Sequence, residues 1–178
     1  MFEDKRIQEI KYILKGMIED TGRKVLKEIV EEDRWGFIIN CGGLYLFLVH
    51  HFGEKKMVIY YEITFPEKVT EVISKECEDP LKRNEFLFGL KSALFSPFVM
   101  SSIKYDEGND EVTGFIIWKH IYPFHEDFGI VKLDEAMQAV TNQALLALSY
   151  IEAIFGAKMV EQEIVEQITK NEPDGMYR

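Results

Sequence analysis

The chain has 178 residues, which suits one domain with its own hydrophobic core. Hydrophobic residues make up 47% and charged residues 29%, a balance that favours a folded protein over a disordered one. The formal net charge is -10. Lysines and arginines are spread singly among the acids, which argues against a surface that binds nucleic acid or an anionic membrane.

Cysteine content and apolar runs indicate the compartment. Cys41 and Cys77 are the two cysteines of the chain, and we expect both to be free thiols. The first six residues begin a charged amphipathic segment and do not resemble a signal peptide. The longest apolar runs, such as residues 44–49, are far shorter than a membrane span. We therefore expect a cytoplasmic protein.

The predicted elements begin with a helix and a run of strands. Apolar residues at positions 7, 10, 14 and 17 predict an amphipathic helix that ends at Gly22. Four strands follow, at residues 25–31, 35–40, 44–52 and 57–65. The first is a weak edge strand, and the third is so apolar that we expect it to be central and buried on both faces. Short reversals between the strands predict an antiparallel meander.

Helices and a hairpin make up the rest of the chain. Residues 67–77 fit either a short helix or, by their β-branched content, a strand, and we favour the helix. A further helix begins at Asp79 and Pro80. Strands at residues 98–105 and 112–122 then flank a polar turn. The longest predicted helix begins at Asp134 and ends near Phe155. Its broad apolar stripe must be buried against a sheet or a partner.

The C-terminal part is predicted to lie outside the main domain. We expect a single α+β domain over residues 1–156, an amphipathic helix over 157–170 and a flexible tail over 171–178.

The order of elements predicts the fold class. A helix, three or four strands, a helix, two strands and a long helix indicate an α+β two-layer sandwich with an antiparallel sheet. This order, over roughly residues 4–155, resembles the type III secretion chaperone-like fold, and we expect a prokaryotic family of that fold. The resemblance implies a homodimer that holds an extended segment of a partner protein.

The four histidines are the main candidates for a metal or catalytic site. His50 and His51 are adjacent on a strand, so they point to opposite faces. His120, His125 and Glu126 could converge with one of them across the sheet. A zinc site needs three or four converging ligands. Ordinary surface or hydrogen-bonded histidines explain the pattern better, so we predict neither a bound metal nor another cofactor.

Cys41 is a weaker candidate for a catalytic nucleophile. His50 or His51 could approach it across the hairpin and act as a base. The simpler explanation is a small residue that enters a turn of two glycines. Cys77 lies in an acidic stretch, which we expect to disfavour its thiolate.

One face of the predicted sheet carries the most informative pattern. On residues 57–65 and 112–122, one alternate set of side chains is apolar and the other mixes aromatic with polar groups. Tyr60, Trp118 and Tyr122 stand out in the second set, and such residues are enriched at interfaces. Either they form a dimer or partner surface, or they pack beneath the C-terminal helix or a loop.

These observations favour a non-enzymatic protein-binding module, a chaperone-like or adaptor protein that acts as a homodimer. An edge strand or the open face of the sheet would take up a peptide or a protein segment. One alternative is a metal-binding protein or an enzyme that uses His120, His125 and Glu126. Another is a small-ligand sensor with a pocket lined by phenylalanine and tyrosine.

Overall fold

The computed structural model describes residues 2–108 and 110–156, with side chains from residue 7 onward, and these residues form six strands and four helices. In chain order they are α1 (Phe2–Asp20), β1 (Lys24–Val30), β2 (Arg34–Cys41), β3 (Leu44–His51), β4 (Met57–Thr64), α2 (Glu67–Glu76), α3 (Pro80–Leu94), β5 (Met100–Tyr105), β6 (Val112–Ile121) and α4 (Ile130–Phe155). The α+β class with an antiparallel sheet is thereby confirmed.

The six strands form one sheet in the order β1-β2-β3-β4-β6-β5. The predicted meander is therefore present, with β1 at one edge. Its register places Phe37 opposite Leu48 and Leu48 opposite Ile59. β2 and β3 are joined by Gly42 and Gly43, whose φ angles of 65° and 95° are open to glycine at little cost.

The described chain groups into two compact units. The first comprises residues 2–61, 96–100 and 117–144, and the second comprises residues 62–95, 101–116 and 145–156. The single domain over residues 1–156 stays a prediction.

The first unit has a core built from alternate strand residues and one side of each helix. Along β2 the residues Trp35, Phe37 and Ile39 are all buried, as the period of two in a strand requires. The rest of this core consists of Leu14, Ile18, Leu46, Leu48, Met57, Ile59, Ile117, Ile121, Leu133, Met137 and Val140. Arg23 and Asp134 form an ion pair at the edge of this core.

The second unit is held by a capped helix and an aromatic contact. The Asp79 carboxylate accepts a hydrogen bond of 2.9 Å from the Leu81 N–H, so Asp79 caps α3 as predicted. The Tyr150 hydroxyl donates to the Phe86 carbonyl at 3.2 Å, and the two rings stack with centroids 6.2 Å apart. Gly89 makes room for this ring, because a Cβ there would lie 2.0 Å from the Tyr150 hydroxyl oxygen.

Two expectations differ from the structure. β3 is not buried on both faces: on the outward face Val49 is buried, but Tyr45 and Phe47 are half-buried and His51 is exposed. α4 begins at Ile130, four residues before Asp134, because the chain already turns at Gly129, whose carbonyl accepts from the Leu133 N–H.

Two further expectations concern the chain ends and the membrane. The predicted helix over residues 157–170 and tail over 171–178 lie outside the described residues. Among the helices that the structure describes, none combines the length and apolar character needed to cross a bilayer.

Candidate functional site

A row of apolar and aromatic side chains crosses the half-buried face of the sheet. We call Ile38, Phe47, Tyr60 and Trp118 the aromatic row. Ile38 lies opposite Phe47, and Phe47 lies opposite Tyr60. The Phe47 and Tyr60 rings stack with centroids 5.0 Å apart and an angle of 11° between their planes. All four side chains are half-buried, so they present a continuous apolar strip on the face opposite the core.

Trp118 extends the row onto β6. The Phe65 N–H donates to the Thr113 carbonyl at 2.7 Å, which fixes the register of these antiparallel segments. Uninterrupted pairing from this bond places Trp118 opposite Tyr60. Ile117, the residue before Trp118, is buried in the core. From Phe115 to Trp118 buried and half-buried residues alternate as predicted, which puts Trp118 on the outward face together with Tyr60.

Charged side chains stand at the margin of the aromatic row. On β1 the row ends at Lys27, which lies opposite Ile38. Arg34 makes a bidentate contact with Glu31, with N–O distances of 2.6 and 2.9 Å. These hydrogen bonds raise the pKa of Arg34 and lower the pKa of Glu31. The charge of Tyr60 adds a smaller upward effect on the pKa of Arg34. The margin thus carries both signs of charge around an uncharged strip.

The β1 edge is poorly suited to pairing with another strand. A bulge interrupts its register between Val25 and Lys27, and Lys24, Lys27 and Glu28 are exposed along it. Bulges and charged side chains are the usual means by which sheet edges avoid added strands. The face of the sheet is therefore a better candidate for a binding surface than this edge.

Tyr122, predicted to bind a partner together with Tyr60 and Trp118, lies apart from the aromatic row. It follows the last residue of β6, is 54% exposed and lines a cavity together with Ile7 and Ile10 of α1. The strand ends at Ile121, so the alternation that would have aligned Tyr122 with Trp118 ends one residue too early.

The cavity lined by Tyr122, Ile7 and Ile10 has a volume of about 810 Å³, and the buried His50 also lines it. His50 is 4% exposed, whereas the neighbouring His51 is exposed, so the two point to opposite faces as predicted. Its Nε2 lies 2.9 Å from the Glu54 carbonyl oxygen. The rings of Trp35 and Phe124 lie beside it, with centroids 5.4 and 5.2 Å away.

The other candidate metal ligands lie near a second cavity, of about 500 Å³. His120 and His125 both line it, and His125 also lines the cavity beside His50. Burial lowers the pKa of half-buried His120. His125 Nδ1 is 3.7 Å from Asp127, and Glu126 is exposed. Over the described ranges, three or more histidine, cysteine, aspartate or glutamate side chains nowhere gather as a metal site would require.

Cys41 is far from both histidines that were considered as its base. It lies opposite Leu44 beside the turn, while His50 lies opposite Trp35 near the other end of the same hairpin. The expectation that His50 or His51 could approach Cys41 was therefore wrong, because the antiparallel register separates them by most of a strand. Burial raises the pKa of the Cys41 thiol, and the nearby Arg23 guanidinium opposes this.

The pKa of Cys77 is also raised, but the acidic stretch is not the main cause. Burial comes first, and Glu76 adds to the effect while Arg83 opposes it. For both thiols burial outweighs the neighbouring arginine, and the pKa moves away from the range of an activated nucleophile.

Two features of the site escaped the sequence reasoning. Phe47 belongs to the aromatic row, and the alternation along β3 could have identified it, had that strand not been interpreted as buried on both faces. The cavity beside His50 carries no sequence signal, because its walls come from α1, from the turn after β3 and from the segment after β6.

The fold has a counterpart among solved structures. The chain is similar to the crystal structure of an uncharacterized protein from Methanothermobacter thermautotrophicus, with a TM-score of 0.71 at 15% sequence identity. The similarity covers 83% of this chain and 99% of that one. At such an identity it shows the fold alone. No protein-family model and no curated protein matches the chain.

Proposed function

We propose that the chain is a non-enzymatic protein-binding module that acts as a homodimer through the aromatic row. The observation that carries this proposal is the strip formed by Ile38, Phe47, Tyr60 and Trp118, which lies opposite the core and is only half-buried. Aromatic side chains that are neither core nor fully exposed are typical of the centres of protein interfaces.

A second copy of the chain is the occupant that the charges favour. Each copy carries a net charge of -10, so two copies repel unless they meet at an uncharged patch. The aromatic row is such a patch. In a two-fold interface the same surface contacts itself. The charged residues around the row, Lys27, Arg34 and Glu31, can therefore form contacts between opposite charges of the two copies.

The element order supports a chaperone-like role for such a dimer. A helix, a strand meander, two helices, a hairpin and a long helix follow one another in the chain, an order that resembles the type III secretion chaperone-like fold. We propose that the dimer holds an extended segment of a partner protein. The bulge and the charged side chains of β1 disfavour a partner that adds a strand at this edge. They favour a partner segment that lies on the face of the sheet.

Light scattering after size-exclusion chromatography tests the dimer. We expect the protein to elute at twice its chain mass of 20.8 kDa. The variants Trp118→Arg and Tyr60→Arg should elute at the chain mass, because each places a charge within the uncharged strip. Tyr12→Arg is the matched control: Tyr12 is 82% exposed on α1, and its replacement should leave the dimer intact.

Folding of the variants separates an interface from a core role. Circular dichroism melts of both row variants should match the protein without substitutions. If both variants unfold, the row is internal packing and the proposal fails. A chain that remains monomeric at the highest soluble concentration also contradicts it.

A further inference from the structure

Helix α3 carries a stripe of large apolar side chains on its solvent side. Leu81 and Phe88 are 73% and 74% exposed, and Phe95, which follows the last residue of the helix, is 80% exposed. We call these three residues the α3 stripe. Their spacing of seven residues places them on one side of the helix. The buried residues lie on the other side: Phe86, Leu90 and Leu94. An exposed apolar patch on a helix marks a surface that another element covers.

The described chain ends close to this helix. The ring of Phe155, at the end of α4, makes an edge contact with the ring of Phe86, with centroids 5.4 Å apart. The Gly156 N–H donates to the Glu152 carbonyl at 2.8 Å, and Gly156 has a φ angle of 88°. Such a glycine ends a helix and turns the chain away from its axis. Residues 157–178 therefore leave α4 beside α3.

The sequence after Gly156 has the pattern that the α3 stripe would accommodate. Val160, Ile164 and Ile168 recur at steps of four, which predicts an amphipathic helix over residues 157–170. A helix of about 14 residues is marginal in water unless its apolar side is buried. Residues 157–159 span about 10 Å when extended, which is about the diameter of a helix. This length is enough for the chain to pass from Gly156 to the solvent side of α3.

The charges favour this segment over a second copy of α3. The helix contains Lys82, Arg83 and Lys91 against the single acid Glu85, although the whole chain has a net charge of -10. Residues 157–170 contain three glutamates and two lysines, so their net charge has the opposite sign. In a two-fold contact between copies, α3 would face α3 and equal charges would repel each other.

We propose that residues 157–170 dock on the α3 stripe of the same chain. The apolar side of the segment, with Val160 and Ile164, covers Leu81 and Phe88. The short connection after Gly156 makes docking within one chain more favourable than docking between chains, because the two surfaces are held near each other. The proposal is independent of the dimer, since the α3 stripe and the aromatic row share no residue.

Hydrogen exchange of the full chain, followed by mass spectrometry, tests the docking. We expect the amides of residues 160–168 to exchange at least about tenfold more slowly than in a synthetic peptide of residues 157–178. Phe88→Asp should abolish most of this protection, because it places a charge within the apolar contact. Tyr12→Asp is the matched control: Tyr12 is 82% exposed on α1, and the same change there should leave the segment protected.

A second variant and the rest of the chain serve as checks on folding. Leu81→Asp should have the same effect as Phe88→Asp, since both side chains are mostly exposed and neither belongs to the buried side of α3. Unchanged exchange in β2 and β3 would show that each variant keeps its fold. Ile164→Asp should also remove the protection, because it changes the other side of the same contact.

Three results would overturn this proposal. One is exchange of residues 160–168 at the rate of the free peptide in the protein without substitutions. Another is an effect of Phe88→Asp and Leu81→Asp no larger than that of Tyr12→Asp. The third is protection that falls on dilution, which would mean that the segment comes from a second copy. Tyr60→Arg should keep the protection even as a monomer, so failure of the dimer proposal would leave this one standing.

Discussion

Two glycines of this chain sit in helices for opposite reasons. A Cβ on Gly89 of α3 would lie 2.0 Å from the Tyr150 hydroxyl oxygen, whereas Gly16 of α1 has nothing within 4 Å of the same position. Glycine in a helix is costly relative to alanine. At Gly89 the close approach of Tyr150 explains why glycine is needed despite this cost. At Gly16 no neighbouring atom requires glycine.

The two positions should respond to alanine with opposite signs. Gly89→Ala must displace the Tyr150 ring and its hydrogen bond to Phe86, so we expect a loss of about 1–2 kcal/mol in the free energy of unfolding, net of the helix gain. Gly16→Ala should gain about 0.5–1 kcal/mol. Urea denaturation measures both. Equal stabilisation by the two substitutions would mean that Tyr150 moves aside at no cost.

Most helices and strands could be predicted from local patterns in the sequence. The apolar stripe of α1 and the turn before β3 are short-range signals. The two misjudged features depended on long-range context. Asp134 was taken as the start of a helix, but its carboxylate pairs with Arg23, which is distant in the chain. β3 was taken as buried on both faces, and only the assembled sheet reveals which face the helices leave uncovered.

The cap of α3 is a local signal whose strength can be measured. Because Asp79 accepts from the Leu81 N–H, Asp79→Ala should lower the free energy of unfolding by about 1 kcal/mol. Asp106→Ala is the control, since Asp106 lies in the turn after β5 and its side chain is exposed. Chemical denaturation of both variants gives the comparison. Similar small losses at the two positions would argue that the cap contributes little.

For the whole molecule, the overall charge and the aromatic row act against each other. The net charge of -10 opposes the approach of a second copy, whereas the row gains by leaving water. Of the candidate site, the sequence indicated Tyr60 and Trp118 through their alternation. It did not indicate the cavity beside His50, which depends on residues brought together from three distant segments.

This balance predicts how salt affects the proposed dimer. Salt screens the repulsion between two acidic copies and leaves apolar contact nearly unchanged. We therefore expect the dimer dissociation constant to fall as sodium chloride is raised from about 10 to about 300 mM, a range over which screening grows strongly. Analytical ultracentrifugation at several salt concentrations measures it. Weaker association at high salt would instead indicate an interface held by ion pairs such as those open to Arg34.

The length of the turn at Gly42 and Gly43 sets the register of β3 against β2. Their positive φ angles close the turn so that Cys41 meets Leu44. One extra residue there would shift β3 by one position against β2, and a strand shifted by one residue exchanges its two faces. Phe47 would then turn toward the core and Leu48 toward solvent. Surface and interior of this hairpin are thus not separate properties of the sequence: both follow from the length of one turn.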